Sequence, residues 1–598
     1  MSNVTPGDEA ILQHAGAQKG HPKGLGVLFT TEMWERFNFY GMRAILGLFI
    51  AEALMMGEKD AALIYGGFLG LCYLTPMLGG YISDKYLGNR LCIILGGLTM
   101  ALGQLLLFAS ASSFDSNLSL AKTLMWIALL VIVMGNGFFK PNISSMVGQL
   151  YPKEQKTKLD SAFTIFYMGI NIGALLGIWL CSLLGDVKTT RIINGVEESV
   201  RDLGAFKWGF LSAGLAMVLG VIIFIALMNK YVVTPAGKAI GGRPSKTAVH
   251  EEDAAMAKFS SKSVATLIGL AVILYFLFQY FSWDSATMPM VEGSGIGGYF
   301  DALGLSPIKT YVYPFIYAAG LSLAIFILTD KSLTKVETQR ILVLYIIAFF
   351  VIFFWAAFEQ AGSSLTFIAN NQTDTRILGW AMPPSMVQNF NSAFVIIFAL
   401  PFSALWLWLN KRRAEPISPV KQSLGLALIA LGYLIIALQV KDLGTAGKIG
   451  IIWLIILYLL HTWGELCLSP IGLSLVAKLA PRRFASLLMG VWFLSNAAGY
   501  ALTGTLGELL PPTGDKFAAA SKQGIDLAAV LNGSATLTPE QSAFLAEQKI
   551  ATSYSTFAGF TITNLFDFFM VFVILCGAAS VILYSLTPML KKMMHGVR

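Results

Sequence analysis

Apolar stretches of about 20 residues recur along the whole chain, each long enough as a helix to cross about 30 Å of hydrocarbon. They fall at roughly 25–54, 61–84, 90–112, 123–147, 161–185, 206–229, 263–282, 312–329, 338–362, 388–410, 422–440, 447–477, 485–508 and 558–587. That predicts fourteen spanning helices, 312–329 being the shortest. No period-two alternation runs through them, which excludes an outer-membrane barrel. Polar residues break the series most strongly in two places. The stretch 231–262 reads as a linker by composition. The segment 509–557 is long and rich in Ala, Ser and Gly, and one short surface helix is predicted in it. There Thr538 serves as N-cap, Pro539 as first helical residue and Gln541 as the return half of a capping box.

The plan is then a tail at 1–24, six spans at 25–230, a linker with two accessory helices at 231–337, and six more spans at 338–598. Composition agrees with an all-α polytopic membrane protein: the chain is 56% hydrophobic and only 13% charged. Lys and Arg are about twice as frequent on the side of the two termini as on the other, which places both termini in the cytoplasm. The same dispersed bias accounts for the net charge of +8 and argues against nucleic-acid binding. The five cysteines lie in apolar runs with no CxxC and no Cys/His cluster, so neither metal nor other cofactor is expected. The polar, Gly-rich first 24 residues do not have the layout of a cleaved signal peptide.

Charge inside the apolar stretches is the feature that speaks to function. The first span carries "TEMWERFNFYGMR", Thr31 to Arg43. At 3.6 residues per turn, Glu32, Glu35, Arg36, Tyr40 and Arg43 form a polar stripe down one helix. A bare charge at mid-bilayer costs at least ~2.5–3.5 kcal/mol, so this stripe needs an interior cavity or an internal ion pair. An ion pair that only locks packing would leave Arg43 over, and further charges occur elsewhere: Lys140 in the fourth span, and Glu359 and Glu465 in the second half. Bases predominate in the first half and acids in the second. That division suits a cavity for a zwitterion, with carboxyl groups as candidate proton carriers. Tyr40, Tyr73, Tyr167, Trp355 and Trp492 are candidate pocket walls, and Asn171 and Asn391 candidate hydrogen-bonding groups, although each aromatic taken singly reads equally as packing. Gly/Pro breaks at Pro76, Gly79, Gly80, Pro141, Pro470 and Gly472 suggest hinged helices.

These motifs together resemble a known family. "GGYISDKYLGNR", with Gly80, Asp84, Lys85 and Arg90, resembles the loop signature of the major facilitator superfamily. Glu32-x-x-Glu35-Arg36, "GNGFFKPNI" around Lys140, "FYMGINIGALLG" (Phe166 to Gly177), "FWAAFEQAGSS" around Glu359 and "GELCLSPIGLS" (Gly464 to Ser474) resemble, in order and spacing, the bacterial proton-dependent oligopeptide transporter (POT) family. The resemblance covers the whole chain and includes the two accessory helices. It implies a major facilitator fold of two six-helix bundles and import of di- and tripeptides by proton symport. Glu32, Glu35 and Arg36 would couple the proton. Arg36 and Lys140, with Tyr40 and Tyr73, would meet the peptide carboxylate; Glu465, Asn171 and Asn391 would meet its amino group. Tyr167, Trp355 and Trp492 would shape side-chain pockets, and Arg43–Glu359 and Lys140–Glu465 would be gating ion pairs. Two positions depart from the pattern. Phe39 replaces the first tyrosine of the usual Tyr-Tyr-Gly, and Gly66 lies where animal members carry a histidine. His461 near Glu465 reads as a packing residue rather than a relay.

The expected partners are therefore a small peptide, a proton and lipid, with the chain acting as a monomer in a bacterial inner membrane. The alternative within the same fold is a proton-coupled carrier of nitrate or another small organic solute. No P-loop, HExxH or Gly-x-Ser-x-Gly motif supports an ATP-driven pump or an enzyme, and no ring of repeated pore charges supports a channel.

Overall fold

The structure is a computed structural model that describes residues 20–151, 156–193, 196–234, 237–243, 260–282, 307–445 and 447–597. Among the described residues, fourteen long helices carry the fold. We number them α1 (Lys23–Leu48), α2 (Gly57–Ile82), α3 (Asn89–Ser113), α4 (Leu118–Gln149), α5 (Lys156–Gly185), α6 (Phe206–Tyr231), α7 (Ser261–Ser282), α8 (Tyr313–Leu328), α9 (Lys335–Phe358), α10 (Asn389–Lys411), α11 (Ser418–Val440), α12 (Ile451–Leu479), α13 (Ala485–Gly507) and α14 (Leu565–Met593). Thirteen of these are apolar enough along their length to cross a membrane; α1 is long enough but carries too many charges to qualify on composition. Four two-stranded sheets occupy connections among the described residues, and the spanning part is all-helical.

Two compact units divide the chain, one holding residues 1–49 and 75–249, the other 50–74 and 250–598. Of the borders at 49/50, 74/75 and 249/250, the second falls inside α2. In the first unit α1 packs on α5 and α6, and α3 on α4 and α6. Glycines make the α1–α5 contact possible. A Cβ on Gly173 would lie 2.1 Å from the Met33 carbonyl oxygen, and one on Gly177 2.3 Å from that of Phe37. This stripe of small residues lets two backbones touch, the usual basis of close helix packing in lipid. In the second unit α11 packs on α12 and α14, α9 on α13 and α14, and α8 on both α7 and α13.

Two expectations need correction, and one feature is new. The prolines at 76 and 141 do not end their helices: α2 and α4 run through Pro76 and Pro141. The break that exists was not foreseen. After α9, residues Glu359–Gly362 form a 3-10 turn and Ser364–Asn371 resume as an α-helix. Its freed backbone is satisfied from distant helices, as membrane depth requires: Tyr433 donates to the Ala357 carbonyl at 2.7 Å, and Thr503 to that of Ala356 at 3.3 Å. Finally, 509–557 holds three short helices rather than one, Gly514–Lys522, Leu527–Leu531 and Pro539–Glu547. They enclose a small apolar core of Ala520, Ile525, Leu527, Val530, Leu531, Leu545 and Ile550. The capping box of Thr538 and Gln541 forms as expected.

Most of the 231–262 linker lies outside the described residues. Its first part is ordered by Arg90, which donates to the carbonyls of Met228, Val232 and Ile240 at 3.1, 2.6 and 2.6 Å. Arg90 thereby ties the end of α6 to the chain that follows it, where Val232 N donates to the Met228 carbonyl at 3.1 Å and Ile240 N to that of Val232 at 3.3 Å.

Candidate functional site

The candidate residues form groups within each unit. In the first, Glu32, Glu35 and Arg36 are all buried on α1. Arg36 Nε donates to Glu32 Oε1 at 2.7 Å, one helical turn away, and lies 3.0 Å from Glu35 Oε2. Its single N–H is spent on Glu32. Both oxygens of Glu35 and Oε2 of Glu32 accept no hydrogen bond among the described residues. Two carboxylates thus share one guanidinium in a site without water-facing surface, and Lys140 lies within Coulombic range of Glu35. One turn further along α1, the Arg43 guanidinium sits 4.8 Å from the centre of the Tyr40 ring, a cation–π contact. Asn171, on the glycine-bearing helix α5, donates to the Tyr167 carbonyl at 3.0 Å. Asn38 was missed in the sequence reading. It is fully buried beside the charged stripe and donates to the Ala213 carbonyl at 2.9 Å, fixing the rotation of α1 against α6.

In the second unit, Asn391 of α10 donates to Glu465 Oε2 of α12 at 3.0 Å and to Thr462 Oγ1 at 3.0 Å. Two residues assigned to one role, 74 positions apart, are thereby brought together. Glu359 ends α9 at the 3-10 turn, where Tyr65 donates to its Oε2 at 3.5 Å. Gly362 is required there, since a Cβ would lie 1.9 Å from the Tyr65 hydroxyl. Tyr73 and Trp355 meet through Tyr500, with ring centres 4.5 and 5.8 Å from it. Trp492 is buried against Gly472, where a Cβ would come within 2.0 Å of the indole. His461 packs on Tyr433 at 4.8 Å between ring centres, and its Nε2 has no hydrogen-bond partner among the described residues, in keeping with a packing role. Tyr65, Tyr500 and Gln360 were not singled out from sequence. Only the polar run after Phe358 could have pointed to Gln360, which donates to the Thr503 carbonyl at 3.0 Å.

A description of the POT family matches residues 90–270 and 307–520. The chain belongs to the POT family. The uncharacterized transporter YclF of Bacillus subtilis is 32% identical over 498 residues, covering 82% of this chain and 88% of that protein. The peptide transporter YePEPT of Yersinia enterocolitica is 31% identical, covering 85% and 90%. Among solved structures, a POT family transporter in complex with 5-aminolevulinic acid superposes with a TM-score of 0.68 at 25% identity over 96% of this chain and 98% of that one. A peptide transporter POT in complex with sulfate gives 0.67 at 26% identity, covering 97% of each. The fold is accordingly the helical major facilitator type of a multi-pass membrane transporter.

Proposed function

We propose that this POT family member imports di- and tripeptides by proton symport. The observation that carries the reading is the buried group on α1, in which Arg36 is shared by Glu32 and Glu35. Taking up a proton removes one buried negative charge and supplies a donor where acceptors outnumber donors. It also loosens the hold on Arg36, which can then meet a substrate carboxylate together with Lys140, beside Tyr40 and Tyr73. Glu465, held by Asn391, is suited to a substrate ammonium, with Asn171 contributing a further polar group. Tyr167, Trp355 and Trp492 bound the side-chain pockets. Arg43 with Glu359 and Lys140 with Glu465 act as gating pairs in alternating access. The names of the relatives support this reading: YePEPT is a peptide transporter, and a relative in Edwardsiella piscicida, 28% identical, is a dipeptide and tripeptide permease. The chain works as a monomer in a bacterial inner membrane with both termini in the cytoplasm. The proton is its coupling ion, and no other cofactor takes part.

The relative that holds 5-aminolevulinic acid gives a second reading some weight. That ligand also joins an amine to a carboxylate, so small zwitterions other than peptides fall within the substrate class. Uptake of labelled dialanine into liposomes tests the proposal. Accumulation is expected only with an inside-alkaline gradient, and Glu32→Gln is expected to abolish it. Wild-type accumulation by folded Glu32→Gln protein would remove the coupling role.

A further inference from the structure

Three stretches of the second unit converge on residues 52–70, the corner after α1 and the first half of α2. The first is the start of α8. Tyr313 donates its hydroxyl to the Leu63 carbonyl at 2.9 Å. Ile308 and Ile316 fill the space next to Gly67 and Gly70, approaching to 2.7 and 2.6 Å of where a Cβ would be. Lys309 Nζ donates to both oxygens of Glu508 at 3.3 Å, which fastens this end of α8 to the end of α13.

The second stretch is the helix Ser364–Asn371. Asn371 Nδ2 donates to Glu58 Oε1 at 2.8 Å and to Thr513 at 3.0 Å, and Asn370 Nδ2 donates to Glu52 at 3.2 Å. The third is the small-core segment 509–557. Lys59 Nζ donates to Ser555 Oγ at 3.0 Å. Lys549 lies 2.8 Å from where Gly57 would carry a Cβ, at a φ of +79° that glycine adopts without strain. A cavity of about 390 Å³ remains in this corner, with Glu52, Glu58, Asn371, Asp515 and Lys516 among its walls. Burial works against the Lys516 charge, but Glu58 and Asp515 outweigh it and hold its pKa above the usual lysine value.

The grip is confined to half a helix. The border between the compact units falls at Leu74/Thr75, next to Pro76. Proline removes one helical hydrogen bond and so marks the point where α2 bends most easily. On the topology proposed above, the gripped half is the outer one. The geometry points to a clasp: accessory helix α8 and the 509–557 segment together hold the outer half of α2, and the hold is released each time the transport path opens to the outside. This rests on the transporter reading. It assigns a conformational role to two insertions outside the two six-helix sets.

Two measurements on the full-length protein in liposomes test it. The first is amide hydrogen exchange in Lys309→Met/Tyr313→Phe, which loses the Lys309–Glu508 and Tyr313–Leu63 bonds. Exchange across residues 57–66 is expected to rise at least about fivefold, with α3 unchanged as the internal control. Unaltered exchange in 57–66 would overturn the clasp. The second uses Lys59→Cys/Ser555→Cys bridged by a short bismaleimide, a route that leaves α8 intact should the first variant fold poorly. Dialanine uptake is expected to fall at least about tenfold on bridging, and proteins carrying only one of the two introduced cysteines should keep theirs when given the same reagent. Full uptake by bridged protein would also overturn it. Protein that takes up no dialanine before bridging counts against the transport reading alone, and the exchange measurement then decides the clasp.

Discussion

Arg36 and Arg376 meet carboxylates at almost the same distance, 2.7 Å to Glu32 and 2.8 Å to Asp374. By geometry the second pair is the better one. Arg376 makes two parallel bonds, from Nε at 2.9 Å and Nη2 at 2.8 Å, whereas Arg36 spends one N–H on Glu32. Their surroundings differ completely. The Arg36 and Glu32 side chains are 6% and 1% exposed, and those of Arg376 and Asp374 are 68% and 42% exposed. Water can replace either partner in the exposed pair, so the bond is worth little. Nothing replaces a partner in α1, so removing one leaves an uncompensated buried charge. The worth of an ion pair is set by what its groups would otherwise touch. That is why losing a partner is costly on α1 and cheap at the exposed Arg376–Asp374 pair.

The sharpest way to break this contrast is Arg36→Ala. It leaves Glu32 and Glu35 facing each other with their shared cation gone, a cost of about 3–5 kcal/mol for a buried pair. We expect a markedly lower melting temperature in detergent and no measurable dialanine uptake. Arg36→Lys keeps the charge but not the guanidinium's planar set of donors, and should recover the fold while transporting poorly. Wild-type melting and uptake in Arg36→Ala would mean that the α1 group is neither structural nor functional.

A smaller effect is expected at Glu465. Glutamine keeps the shape and can still accept from Asn391, so the change isolates charge from packing. Dialanine uptake should fall at least about tenfold, equivalent to 1.4 kcal/mol of lost recognition, with little change in melting temperature. Retained uptake would show that no substrate ammonium is read at this position.

The same contrast explains how much of the molecule was legible in sequence. Charge in an apolar stretch is conspicuous because lipid forbids it without a reason, so Glu32, Glu35, Arg36, Lys140, Glu359 and Glu465 stood out. The capping box at Thr538 was legible because it is local, its two halves three residues apart. Neutral polar groups inside apolar runs carry no such signal. Tyr433 and Thr503 satisfy the broken backbone after α9 from 76 and 147 positions away, and nothing near them announces it. The prolines could be read as weak points but not as helix ends: a proline removes a hydrogen bond, but packing decides whether the helix ends, and α2 and α4 continue through theirs. In 509–557 only the helix with a full capping box was predicted. The segments at 514–522 and 527–531 are too short for a periodic pattern and are stabilised by the core they share.

The mildest expected effect belongs to the exposed Arg376–Asp374 pair. The Asp374 carboxyl is lowered to about 2, chiefly by the hydrogen bond from the Arg376 side chain and also by the Arg376 backbone N–H. A carboxyl lowered in the folded state stabilises it above the unfolded value, near pH 4, and loses that contribution as pH falls through the folded value of about 2. Solvent screens most of it, since the pair is open to water. Asp374→Asn should therefore leave dialanine uptake unchanged and lower the melting temperature barely or not at all at pH 6. Any difference from wild type should shrink between pH 5 and pH 3 and shrink further in added salt. A difference that grew on acidification would reverse the sign required of a lowered carboxyl. A large loss at neutral pH would show that water does not compete at this pair as its exposure implies, and the contrast with α1 would then fail.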